Sequence, residues 1–279
     1  MTKNKKEVRN NKHATRIFSP NLIDKNLVNS KRSQVTIFII LAIAIVIVLV
    51  FLFIGKDNLT SLFTGKSPVQ QIQDCAQTYT QEAIDKLSLQ GGSLNPELFY
   101  LYQDNKVEYL CYIEENYKPC VMQKPLLKQS IEKEIEKYVS PKIKGCIEGV
   151  KSNLEKDGYA VSLGTINVNA ELVPNNVLIN IQSDFGFGKD TKESYKSIKT
   201  DISSGLYEFA MIASSILNWE ARYGDSETLT YMTYYPTLKV EKKKQGDGSV
   251  IYILTDRNTK ETFMFASRSY ELPAGGIPS

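Results

Sequence analysis

The stretch VTIFIILAIAIVIVLVFLFI, residues 35–54, is twenty consecutive residues without a charged side chain, and Thr36 is its one polar residue. A helix rises about 1.5 Å per residue, so a helix of this length spans about 30 Å, the thickness of the hydrocarbon core of a bilayer. A buried helix of a globular domain rarely runs this far without a polar face. The pattern therefore predicts a transmembrane helix at residues 34–54.

Charge is distributed unevenly around this stretch. The whole chain of 279 residues has a net charge of +3. Residues 1–33 hold nine Lys and Arg and two acidic residues, a net +7, so the rest of the chain carries −4. The basic residues predict a cytoplasmic N-terminus and an extracellular C-terminal domain. We expect a single-pass protein of the cell membrane, with membrane lipid as a partner and no nucleic acid bound by the folded part.

Four cysteines, Cys75, Cys111, Cys120 and Cys146, follow the apolar stretch. An even number on the outside of a cell favours two disulfides over a zinc site, because no pair has CxxC spacing and the one histidine, His13, lies in the tail. Cys75 lies in the first half of one predicted helix and Cys146 lies towards the end of the next. If these helices pack antiparallel, Cys75 pairs with Cys146 and Cys111 pairs with Cys120.

The pattern of apolar residues predicts an α+β fold. Apolar residues recur every three or four positions from Pro68 to Gly91 and again from about residue 126 to 154, where Pro141 is expected to kink or split the helix. A hairpin is predicted between these helices. Strands with alternating apolar residues follow, then a helix from Ser203 or Ser204 to about Trp219, and then a three-stranded antiparallel meander.

The predicted domain organisation follows from these elements. It consists of a basic cytoplasmic tail (1–33), a transmembrane helix (34–54), a juxtamembrane linker (55–68), a helix-rich disulfide-bonded subdomain (69–155), an antiparallel β plus helix subdomain (156–270) and a flexible tail (271–279). The linker contains Asn58, which opens an Asn-Leu-Thr glycosylation sequon on the side predicted to be extracellular.

The residues that could carry chemistry favour a protein that is not an enzyme. An extracellular domain without histidine cannot form a Ser-His-Asp triad or a histidine-ligated zinc site. We predict no catalytic, metal-binding or cofactor-binding residues and no cofactor. Asp225 and Glu227 are predicted to lie in a polar loop. The tyrosines near residues 231–235 fit either sheet packing or a recognition surface, and packing is favoured.

The junction Lys31-Arg32-Ser33-Gln34, placed immediately before the apolar stretch, resembles an archaeal class III (prepilin-type) signal. That signal has basic residues, a small residue and then Gln at the start of a long apolar helix. The resemblance implies that a prepilin-type peptidase is a partner and that cleavage falls between Ser33 and Gln34. It also implies that the processed chain assembles with itself or with other surface proteins.

The later part of the chain resembles surface proteins of small archaea for which no activity is assigned. The resemblance is carried by the runs LQGG (89–92), YLCY (109–112), YKPC (117–120) and YPTLKVEKK (235–243). The expected function is that of a membrane-anchored extracellular surface protein with a structural, adhesive or pilin-like role. The alternative is a non-catalytic ectodomain that binds a glycan or a partner protein, and an enzyme acting on the envelope is less favoured.

Overall fold

A computed structural model describes residues 40–43, 45 and 65–269 of the chain. The described residues 65–269 belong to one compact unit. The subdomain boundary predicted between residues 155 and 156 lies inside this unit and stays a prediction. The junction residues Lys31, Arg32, Ser33 and Gln34, the sequon residue Asn58 and the tail 271–279 lie outside the described residues.

The transmembrane element of the expected fold class needs correction. No helix within the described residues is long and apolar enough to cross a membrane. A spanning helix needs about 20 residues, whereas residues 40–43 and 45 are the described helical positions of the apolar stretch, the rest of which lies outside the described residues. The expected fold class, a transmembrane helix followed by a disulfide-bonded α+β ectodomain, is therefore wrong in its first element. The folded unit itself is α+β, with two disulfides and two sheets whose strand pairings are antiparallel with one exception.

The folded unit contains four helices and ten strands. The helices are α1 (Pro68–Leu89), α2 (Leu127–Lys156), α3 (Leu206–Tyr223) and α4 (Leu229–Tyr234). The strands are β1 (Phe99–Tyr102), β2 (Asn105–Tyr112), β3 (Val121–Met122), β4 (Ala160–Leu163), β5 (Asn167–Val173), β6 (Asn176–Gly188), β7 (Glu193–Ser203), β8 (Leu238–Lys244), β9 (Val250–Asp256) and β10 (Thr262–Arg268).

The first sheet has the strand order β1-β2-β10-β9-β8, and β3 pairs with β2. The predicted hairpin, β1 with β2, and the predicted meander, β8 to β10, are both confirmed. One pairing was not predicted: β10 lies parallel to β2, with Ala266 opposite Tyr109. This pairing makes β2 a central strand, and its residues from Val107 to Cys111 are consequently buried on both faces.

The second sheet is built on the long strand β6. Strands β5 and β4 pair with successive halves of β6 on one side, and β7 pairs with the other side. The turn from β5 to β6 has Asn175 at a φ of +62°, a left-handed conformation that asparagine tolerates. The predicted alternation is confirmed, because every second residue of β5 and of the first half of β6 is buried.

Helices α1 and α2 form the predicted disulfide-linked pair. Ser67 caps α1 by accepting a hydrogen bond from the Gln70 amide. Cys75 is bonded to Cys146 with their Cα atoms 6.6 Å apart, and Cys111 is bonded to Cys120 with Cα atoms 5.4 Å apart, so the predicted connectivity is confirmed. Helix α2 is not split, because it continues through Pro141 to Lys156.

Helix α3 packs in the core that both sheets share. Its inward face belongs to the same hydrophobic cluster as the buried residues of α1, α2 and both sheets. The inward residues are Phe209, Ala210, Ala213, Ile216 and Leu217. The helix ends at Tyr223, one turn beyond the predicted end at Trp219, where Gly224 adopts a left-handed conformation with φ of +78°.

Candidate ligand-binding cleft

The outer face of α3 carries large side chains where a surface helix normally carries polar ones. Met211, Trp219 and Tyr223 are exposed, and Ser215 lies between them at the same helical spacing of four residues. Burying a large apolar side chain contributes about 2 kcal/mol to stability. The exposed side chains of Met211, Trp219 and Tyr223 do not contribute this stabilisation. Six of the twelve exposed large hydrophobic residues of 65–269 belong to α3, α4 and Tyr235. Such a concentration is typical of an interaction site.

Helix α4 forms the opposite wall of a cleft beside this face. Glu227 orients the start of α4, because its Oε1 accepts a hydrogen bond of 2.8 Å from the Leu229 amide. Tyr231 ties the helix to α3 through a 2.8 Å hydrogen bond between its hydroxyl and that of Ser215. No residue of α4 is buried. The helix is therefore held at the surface by these polar contacts together with Tyr231 and Met232, which are partly buried against the core.

The cleft has a volume of about 550 Å³ and four aromatic walls. Trp219 is 51% exposed, Tyr234 is 77% exposed and Tyr235 is 50% exposed. A volume of several hundred Å³ with aromatic walls and a few polar groups is typical of small-molecule sites. The lining residues are Ser215, Trp219, Glu227, Thr230, Tyr231, Tyr234 and Tyr235.

A buried network of hydrogen bonds holds the inner side of α3, the side opposite the cleft. Glu220, on the inner side of α3, is 1% exposed. Tyr252 of β9 donates a hydrogen bond to its Oε1, and Ser267 of β10 donates to its Oε2 at 3.2 Å. The Glu220 backbone carbonyl accepts a further bond of 3.0 Å from Ser269. These contacts attach the helix that carries Trp219 to the central strands of the first sheet.

Burial dominates the electrostatics of this network. Desolvation raises the pKa of Glu220 above its ordinary value, even though hydrogen bonds and Lys242 favour the carboxylate. Desolvation likewise lowers the pKa of Lys242, whose Nζ lies 3.9 Å from Glu220 Oε1. Burial and the neighbouring Glu220 carboxylate raise the pKa of Tyr252. The cost of removing both charges from water thus exceeds their mutual attraction.

The two acidic residues after α3 have separate roles. Asp225 forms an ion pair with Lys242, whereas Glu227 lines the cleft. Asp225 and Glu227 both lie in the loop between α3 and α4, so the predicted polar loop is confirmed, whereas α4 itself was not predicted. The favoured packing role is wrong for Tyr234, which has most of its surface in solvent. The signal in the sequence was the spacing of Met211, Trp219 and Tyr223, which lie together opposite the core-facing stripe of the same helix.

Within residues 40–43, 45 and 65–269, no group of three or more His, Cys, Asp or Glu side chains is arranged to hold a metal ion. All four cysteines are engaged in disulfides, and no free thiol is present. No family model, curated protein or solved structure matches the chain.

Proposed function

We propose that this chain is a non-catalytic surface protein that acts in adhesion, with a folded unit that binds an external ligand through the cleft between α3 and α4. The observation that carries the proposal is the set of exposed aromatic walls, Trp219, Tyr234 and Tyr235, around a volume of about 550 Å³. Aromatic side chains give large contact area at a low cost in conformational entropy and dominate the energetics of recognition surfaces.

The disulfides support an extracellular location. Disulfides form and persist in secreted proteins and at cell surfaces, and they are rare in the reducing cytosol. Both bonds lie within the unit that carries the cleft, and Cys111–Cys120 joins β2 to the residue before β3, close to the buried network on the inner side of α3. An oxidising environment is thus the one in which this cleft keeps its supporting structure.

The chemistry of the cleft supports binding rather than turnover. Its one ionisable carboxylate, Glu227, already accepts a hydrogen bond from the Leu229 amide. The Ser215 hydroxyl is bonded to the Tyr231 hydroxyl, which is a poor general base. Catalysis by an activated nucleophile requires a base beside it, and the cleft lining offers Ser215 no such partner.

Immobilised ligands test the proposal. The oxidised full-length chain is applied to a panel of surface glycans, choline-bearing polymers and basic peptides, beside the variants Tyr234→Ala and Tyr117→Ala. Tyr117 is a matched control, because it is an exposed tyrosine outside the cleft. We expect at least one panel member to retain the reference chain and the Tyr117 variant while losing the Tyr234 variant. Equal retention of both variants on every panel member would contradict the proposal.

A further inference from the structure

The cleft has a negative charge and no positive one. Its seven lining residues comprise four aromatic rings, three of them from tyrosine, two aliphatic hydroxyls and the Glu227 carboxylate, with no Lys, Arg or His. Of the two carboxylate oxygens of Glu227, Oε1 alone has a hydrogen-bond partner among the described residues, and that partner is the Leu229 amide. The other carboxylate oxygen remains available to a ligand.

The nearby lysine does not neutralise Glu227. Lys242 pairs with Asp225 and lies 3.9 Å from Glu220. Glu227 takes part in none of the salt bridges formed within residues 65–269. Glu220 and Asp225 therefore lie near a lysine, whereas Glu227, the acidic residue that lines the cleft, forms no ion pair within residues 65–269.

The aromatic rings of the cleft are also unoccupied by cations. Elsewhere in the folded unit, lysine ammonium groups lie over aromatic rings in six places. None of these six contacts, all among the described residues, involves Trp219, Tyr231, Tyr234 or Tyr235. The four rings do not stack on one another either, and the one aromatic pair that includes any of them joins Trp219 to Tyr223 outside the cleft. The electron-rich faces are left for a ligand.

We infer that the cleft recognises a quaternary ammonium group, with the methyl groups against the rings of Trp219, Tyr234 and Tyr235 and the positive charge facing Glu227. This inference rests on the proposed binding function and specifies its ligand. A cation over an aromatic face is attracted by the ring quadrupole, and the attraction grows when the cation is weakly hydrated. An alkylated ammonium suits the cleft better than a lysine ammonium, which is compact and strongly hydrated.

The test uses Trp219, the one tryptophan of the chain, as an intrinsic probe. Its fluorescence is titrated with choline and, separately, with 3,3-dimethyl-1-butanol, which has the same shape but no charge. Ionic strength is held constant throughout. We expect choline to produce a saturable change and the neutral alcohol to bind about tenfold or more weaker. Glu227→Gln keeps an oxygen for the Leu229 amide and should weaken choline binding about tenfold, whereas Glu148→Gln, an exposed carboxylate on α2, should not.

The outcomes separate this inference from the proposed function. Equal binding of choline and the neutral alcohol, or no response to choline, overturns the inference. In either case the proposed function stands if a glycan or peptide of the panel still distinguishes Tyr234→Ala from Tyr117→Ala. A second titration with phosphatidylcholine vesicles identifies the source of the group. Co-sedimentation that free choline competes away supports a lipid headgroup, and binding of free choline alone supports a soluble or polymer-borne ligand.

Discussion

Glu220 shows how one residue links the cleft to the core. Its side chain accepts hydrogen bonds from Tyr252 and Ser267 and lies in a setting where burial raises its pKa. Removing the carboxyl group would leave two buried hydroxyls without their acceptor, which costs about 3 kcal/mol.

We predict that Glu220→Ala lowers the free energy of unfolding by about 3 kcal/mol and that Glu220→Gln lowers it by about 1 kcal/mol. The amide keeps an acceptor oxygen for Tyr252, which explains the smaller loss. Urea denaturation at pH 7 measures both values. If both variants lowered the free energy of unfolding equally, the hydrogen bonds of Glu220 would not be the source of its contribution to stability.

The raised pKa of Glu220 also predicts a pH dependence. The folded state keeps the carboxyl protonated to higher pH than the unfolded chain, whose ordinary value is 4.5. The stabilisation is therefore fully present below pH 4.5 and is lost as the pH rises through the raised value. We expect Glu220→Gln, which cannot ionise, to cost more stability at pH 4 than at pH 8. The same cost at both values would contradict the shift.

Gly92 lies in a backbone conformation and a packing environment that leave no room for a side chain. It has a φ of +84°, and a Cβ added there would lie 2.6 Å from Cγ1 of the buried Ile131. We predict that Gly92→Ala lowers the free energy of unfolding by about 2 kcal/mol, because the backbone conformation and the contact are both unfavourable. Gly149→Ala is the control, since a Cβ there meets nothing within 4 Å and lies inside α2. It should raise stability by up to about 1 kcal/mol, as thermal denaturation would show.

The two disulfides differ in the length of chain that they close into a loop. Cys75–Cys146 spans 71 residues and Cys111–Cys120 spans nine. Loop-entropy arguments predict that replacing the first pair by alanine costs about 4 kcal/mol, and the second about 3 kcal/mol. Denaturant titrations of the two double variants measure this order. A larger loss for the short loop would point to local packing around β2 rather than loop closure as the main effect.

Sequence periodicity was sufficient to predict the elements that bury a regular face. The alternation in β5 and β6 and the three- and four-residue spacing in α1 and α2 predicted those elements and the disulfide pairing that their packing allows. Helix α4 was missed because it has six residues and none of them is fully buried, so it is too short to show a helical apolar period. Its position depends on the side chains of Glu227 and Tyr231.

Contacts between distant segments of the chain could not be predicted from the sequence. The parallel pairing of β2 with β10 joins residues about 150 positions apart, and no local pattern marks it. The network around Glu220 has the same origin, since it requires α3, β9 and β10 to meet. The cleft follows from this assembly, because α3 must be fixed on its inner face before its outer face can form a wall.

The exposed aromatic cleft is proposed to bind a ligand, and the dissociation constant of a panel ligand tests this binding. Trp219 fluorescence reports binding at the cleft itself. We predict that the ligand retained on the panel saturates this signal and that Tyr234→Ala raises the dissociation constant about tenfold, through the loss of one aromatic wall. Tyr117→Ala should leave the constant unchanged. A dissociation constant that is the same in the reference chain and in both variants would contradict the claim.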